Sequence, residues 1–142
     1  MSEGRIRLAI GVLALAGVSI AGYLTFVRFS EGLLLCASGG CETVQSSRYA
    51  VVLGVPVAVL GLGGYLLILA SAFARGELAR VAGASIALAG FGFSTYLIYV
   101  QLALIGAVCQ WCVASDVIMT LIAGLAVLRL EPRPFTASAC PR

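Results

Sequence analysis

The sequence predicts an all-α integral membrane protein, a bundle of four transmembrane helices with an extracytoplasmic loop and a short interfacial helix between helices 1 and 2. Three observations predict it. The chain is 61% hydrophobic and 11% charged, against about 25% charged in soluble domains. Its mean hydropathy is +1.09. Its uncharged runs, residues 8–27, 49–74 and 81–115, have the lengths of membrane spans or multiples of them.

The first run holds 20 residues, about 30 Å of helix, which matches a hydrocarbon core. Arg5 and Arg7 precede it as they would precede a signal peptide. The run is long for a signal core, however, and Phe26, Val27 and Arg28 do not make a small-residue cleavage site. The second run contains Gly54 and Pro56, so its opening turns either cross the membrane or lie flat on it. The third holds 35 residues and must turn once, with Ile105, Gly106 and Ala107 as the place to do so. The expected spans are therefore 8–28, 52–74, 81–104 and 108–128, with an outer loop at 29–51 and an irregular tail at 129–142 holding Pro132 and Pro134. All belong to a single domain over residues 1–142.

Four spans return both termini to one side. Arg5, Arg7, Arg75, Arg80, Arg129, Arg133 and Arg142 fall on that side, and only Arg28 and Arg48 on the other. The positive-inside rule makes the first side cytoplasmic. Tyr23, Phe26, Phe29, Tyr49, Tyr96, Tyr99 and Trp111 then gather near the outer interface. They form either an aromatic belt or, in part, the walls of a site for a flat ring such as a quinone.

The chain has no His and no Lys. A histidine-based nucleophilic triad and an imidazole metal site are excluded within it, which throws the chemistry onto five cysteines. Cys36, Cys41, Cys109 and Cys112 fall on the outer side, where disulfides form and persist. Cys109 and Cys112 are a C-x-x-C pair, three apart, so on a helix they share a face. The positive end of a helix and its unpaired N–H groups favour a thiolate, the nucleophile of disulfide exchange. The plain alternative is two small buried hydrophobes. Cys36 and Cys41 are a C-x4-C pair in a Gly-containing loop that can close a disulfide and can swing, or can hold a static one. Two pairs on one face make a relay, one meeting a soluble partner and the other the membrane. Glu42, Thr43 and Val44 open the short helix, which ends near Pro56. Asp116 is a carboxyl inside a span, a functional hypothesis by default. It continues the Cys109–Cys112 face, or else it bonds Ser94, Thr95 or a Tyr of the third helix. Cys140, alone in the tail, is a reduced bystander.

These stretches resemble the vitamin K epoxide reductase family in its bacterial form. The resemblance rests on CETVQSSRY at 41–49, GVPVAVLG at 54–61 and CQWCVASD at 109–116, and on the order helix, loop cysteine pair, two helices, C-x-x-C. It implies a quinone-dependent thiol–disulfide oxidoreductase of the plasma membrane, with Cys36, Cys41, Cys109 and Cys112 as its redox-active centre. Cys36 and Cys41 take the shuttle role, and Cys109 and Cys112 the membrane role with Cys112 nearest the quinone. Ser47 matches a serine that positions the quinone, and Trp111 and Asp116 complete the expected quinone contacts. Many bacterial members carry a fused thioredoxin-like domain, and this chain has none before Arg142. The expected partners are thus a separate extracytoplasmic protein of thioredoxin fold, membrane lipid and a quinone of ubiquinone, menaquinone or vitamin K type, with no nucleic acid, metal or flavin. Where the animal enzymes have a Tyr that contacts vitamin K, four residues after the second motif cysteine, this chain has Asp116. A vitamin K epoxide or quinone reductase on the same cysteines is the alternative enzyme reading. A mercuric or cuprous ion carrier is the alternative from another class, and a passive subunit with a structural disulfide is a third.

Overall fold

The computed structural model describes residues 3–30, 35–37 and 39–130. Four long helices make the body: α1 (Glu3–Ser30), α3 (Val57–Phe73), α4 (Glu77–Val100) and α5 (Gln110–Leu130). Between α1 and α3 lie a short helix α2 (Cys41–Ser46), a 3₁₀ turn (Arg48–Ala50) and a hairpin of β1 (Val51–Val52) and β2 (Val55–Pro56). A π-helical turn (Gln101–Ile105) ends α4. Helices α1, α4 with its π turn, and α5 are long and apolar enough to cross a membrane, and α3 is a shorter apolar helix. At 17 residues it is about 26 Å long.

Small residues make up much of the buried face, beside Ile10, Tyr65, Ile68 and Ile122, and many large ones face outward. Ala14, Gly17, Ala21, Ala72, Gly83, Ala84, Ala87, Ala123 and Ala126 are buried, while Leu8, Val12, Phe26, Phe73 and Leu121 are exposed. Between helices in lipid there is no hydrophobic drive, so close backbone approach through small residues holds them together. The buried stripe of α1, from Ile6 through Ile10, Ala14, Gly17 and Ala21 to Leu24, recurs every three or four residues as one helical face. Neighbours in space run α1, α3, α4, α5 and back to α1, a closed ring. At the arginine-rich end, Arg7 donates from Nε to Ala72 O (3.0 Å) and from Nη2 to Phe73 O (3.1 Å), capping the last carbonyls of α3. Arg129 pairs there with Glu3 at 2.8 Å.

Several boundaries differ from those expected. The second long helix starts at Val57 rather than residue 52, because residues 51–56 pair as a hairpin, Val51 with Pro56 and Val52 with Val55. Leu53 and Gly54 turn it with φ of 52° and 84°, the left-handed pair that a two-residue turn needs. The short helix is correspondingly briefer, ending at Ser46 instead of near Pro56. The turn into α5 falls at Gly106, whose φ of 67° closes the π turn. α5 then begins at Gln110 rather than 108, and runs to Leu130, two residues into the expected tail. Cys109 therefore precedes the span, and its carbonyl accepts the first helical bond, from Val113 N–H at 3.0 Å. The expectations for Pro132, Arg133, Pro134, Cys140 and Arg142 lie outside the described residues.

Candidate functional site

The loop and the turn before α5 meet at the end of the bundle opposite the arginine-rich one. Cys36 and Cys41 form a disulfide with Cα atoms 6.0 Å apart, and Cys109 and Cys112 are free thiols. Cys41 opens α2 and is fully buried, Cys109 is fully buried, and the two pack in one cluster with Val44. Cys36, Cys112, Ile105 and Trp111 pack around it. Gly40 makes the contact possible. A Cβ there would lie 2.6 Å from Val108 O and 2.9 Å from Val108 N, so only glycine lets the residue before Cys41 touch the residue before Cys109.

Gln101 holds the other side. It is buried, and its Oε1 accepts from Cys109 N–H at 2.9 Å, while its carbonyl accepts from Ala107 N–H at 3.3 Å. The turn is thus pinned from the end of α4. The Cys109 thiol is held below the ordinary thiol range, first by a hydrogen bond from Cys112 and then by the Cys112 and Trp111 backbone N–H groups, against the opposing effect of burial. Thiolate character at the first cysteine is what disulfide exchange requires.

Beneath the thiols the helices line an open apolar cavity of about 190 Å³, with walls from every long helix and from the segment around Ser47. Leu24, Ile68, Phe93 and Met119 are among the apolar residues. The polar ones include Ser47, Tyr49, Tyr65, Ser94, Gln101, Cys112 and Ser115. Ser47 Oγ donates to Val44 O (2.7 Å), which leaves its lone pairs to accept. Tyr49 Oη accepts from Arg48 Nη2 (3.1 Å), which leaves its own proton to give. Tyr65 Oη donates to Ser115 O at 2.8 Å and braces α3 against α5.

Of the residues expected to contact a quinone, Ser47 and Cys112 line this cavity, and Trp111 and Asp116 do not. The cavity stripe of α5 is Cys112, Ser115 and Met119, spaced by three and four residues, whereas Asp116 is turned about 100° from Ser115. Its carboxylate accepts instead from Ser94 Oγ of α4 at 2.5 Å. Trp111, one residue before Cys112, is rotated the other way, toward Tyr23 of α1, with ring centroids 5.3 Å apart. Cys112 and Asp116, four residues apart within α5, point about 40° from one another around the helix, yet only Cys112 reaches the cavity. Asp116→Asn is therefore expected to keep quinone-linked turnover within a few-fold of the parent, with any deficit appearing as a lower unfolding temperature. A hundredfold loss of turnover at unchanged stability, the signature of a lost general acid, would instead give the carboxyl a proton-donor role.

Gln101, Tyr65 and Gly40 are site residues that the sequence did not single out. Gln101 carried a signal, an amide inside a long apolar run, which a span tolerates only when it is satisfied.

A disulfide and a dithiol gathered beside an apolar cavity between membrane-type helices define a thiol–disulfide site. The sequence matches the Vitamin K epoxide reductase family model over residues 8–127, and the chain belongs to that family. Membership makes it an oxidoreductase of the thiol–disulfide and quinone type.

Proposed function

We propose that the protein re-oxidises a secreted thioredoxin-fold thiol oxidase and passes the electrons to a membrane quinone. Both termini are cytoplasmic and the cysteines face outward, in keeping with the arginine distribution. The observation that carries this reading is the burial of Cys41 and Cys109 in one cluster, both shut away from solvent, with Cys112 of the same pair on the cavity wall.

Exposure sets the order of transfer. Cys36 is only half-buried, so the donor thiolate attacks its sulfur and Cys41 leaves as thiolate. The second donor thiol then attacks the donor's own sulfur, releasing Cys36 and the oxidised donor. Cys41 attacks Cys109 of an oxidised Cys109–Cys112 pair and Cys112 leaves. Cys36 next attacks Cys41, which re-forms the loop disulfide and leaves both membrane thiols reduced. Cys112 delivers the electrons at the cavity while Cys109 closes on it, and two protons go with the two electrons. A bound quinone supplies the acceptor for both. The cavity suits such a ring, with apolar walls, a proton on Tyr49 for a carbonyl oxygen, and a Ser47 oxygen for a quinol hydroxyl. A quinone also fits the energetics. A strongly oxidising dithiol partner lies near about −120 mV, so its re-oxidation needs an acceptor of higher potential.

The test is anaerobic mixing of purified, fully reduced protein with a set of ubiquinone, menaquinone and vitamin K analogues. Stoichiometric quinone reduction with formation of the Cys109–Cys112 disulfide is expected. Soft-metal binding by the cysteines with no reduction of any quinone would overturn the reading.

A further inference from the structure

The two residues inside the C-x-x-C motif grip the loop on both sides of Cys36. Trp111 Nε1–H donates to Leu35 O at 2.8 Å, and Ala37 N–H donates to Gln110 Oε1 at 3.3 Å. The grip is braced from α1, where Tyr23 Oη accepts from Leu35 N–H at 3.2 Å and the Tyr23 ring packs on Trp111. Leu35 and Ala37 are themselves exposed, and only Cys36 between them packs on the cysteine cluster. We propose that Gln110 and Trp111 are positioning residues that clamp Cys36 over the membrane dithiol, so that it stays in reach when its own disulfide is open.

The need for such a clamp follows from the relay proposed above, on which the inference rests. While Cys36 is bonded to Cys41, the disulfide itself fixes the loop. Once Cys41 has bonded to Cys109, nothing covalent holds Cys36 beyond its own backbone. Its thiolate must nevertheless attack Cys41 to release Cys109. The hydrogen bonds to Leu35 and Ala37 act at that moment. They belong to the first turn of α5, which also carries Cys112, so one helical turn holds both the electron-accepting pair and the sulfur that completes the transfer. Trp111 thereby acquires a role on the donor side of the site, away from the cavity.

The test is to trap cysteine states during turnover, with reduced thioredoxin as donor and a short-chain ubiquinone as acceptor. An alkylating quench followed by peptide mass spectrometry reads them. Trp111→Phe keeps a ring for Tyr23 and removes the N–H, and Gln110→Ala removes the acceptor. In both, the share of protein held as the Cys41–Cys109 mixed disulfide with alkylated Cys36 is expected to rise about fivefold, the factor carried by one net hydrogen bond. Gln110→Glu retains an acceptor oxygen and is expected to return that share toward the parent's. A share equal to the parent's in both Trp111→Phe and Gln110→Ala overturns the clamp. So does a general rise in labelling at all four cysteines, which marks a loosened bundle. Cys36→Ala is the control for the relay. It is expected to trap the Cys41–Cys109 bond, and its failure to do so would overturn the relay and the clamp together.

Discussion

Replacing Cys109 or Cys112 with Ala is expected to reduce quinone-coupled thiol oxidation to background, the largest effect of any substitution in this chain. The two variants should fail differently. In Cys112→Ala, Cys109 remains buried against Cys41 and has no partner of its own. With Cys36 also replaced, so that it cannot resolve the bond, oxidation of the purified protein should then capture a Cys41–Cys109 bond, seen by peptide mapping under non-reducing conditions. Cys109→Ala leaves Cys112 on the cavity wall with no neighbour to resolve it, and no bond to the loop should form. Measurable turnover in either variant, with quinone as the only oxidant, would remove the membrane dithiol from the electron path.

Gly40 gives the second large effect. Any side chain at this position meets the backbone of Val108, which cannot rotate away as a flexible side chain could. Gly40→Val should force the loop off the turn that carries Cys109. A displacement on the order of 1 Å in a reacting pair costs about 10²-fold, and donor-driven turnover is expected to fall by that factor. The Cys36–Cys41 disulfide should still form, because the bond does not involve the Val108 contact. Quinone reduction by protein chemically reduced beforehand should fall much less, since Cys112 and the cavity lie on the far side of the pair. Stopped-flow comparison of the two half-reactions checks this. Equal losses in both, or turnover within a few-fold of the parent, would mean that loop and turn need not touch.

How far these features could be read from the sequence depends on their physical origin. Hydropathy marks where a chain prefers lipid, and it brought out four apolar segments and the break at Gly106. It is blind to the hairpin at 51–56, because Val51, Val52, Leu53, Val55 and Pro56 are as apolar as the helix that follows them. The information there is a backbone one, two successive residues with positive φ. The cysteine pairs were legible from spacing alone. Which face of α5 meets the cavity was not. Ser115 and Asp116 flank the direction of Cys112, about 60° to one side and about 40° to the other, and only the packing of the other helices turns Ser115 to the cavity and Asp116 to Ser94. The cavity itself draws on every long helix, and no local pattern encodes it.

The pairing of Arg129 with Glu3 spans 126 positions of sequence. With α1 packed against both α3 and α5, the first helix to be synthesised completes its contacts only when the last arrives. Contacts so remote in the chain make for slow closure. Until then the nascent protein has its loop cysteines but not α5 with Cys112, and the lateral surface of α1 that α5 will cover is open to lipid. A chain stopped before α5 would therefore hold three long helices and the loop cysteines Cys36 and Cys41, without Cys112 and without the helix that closes the ring.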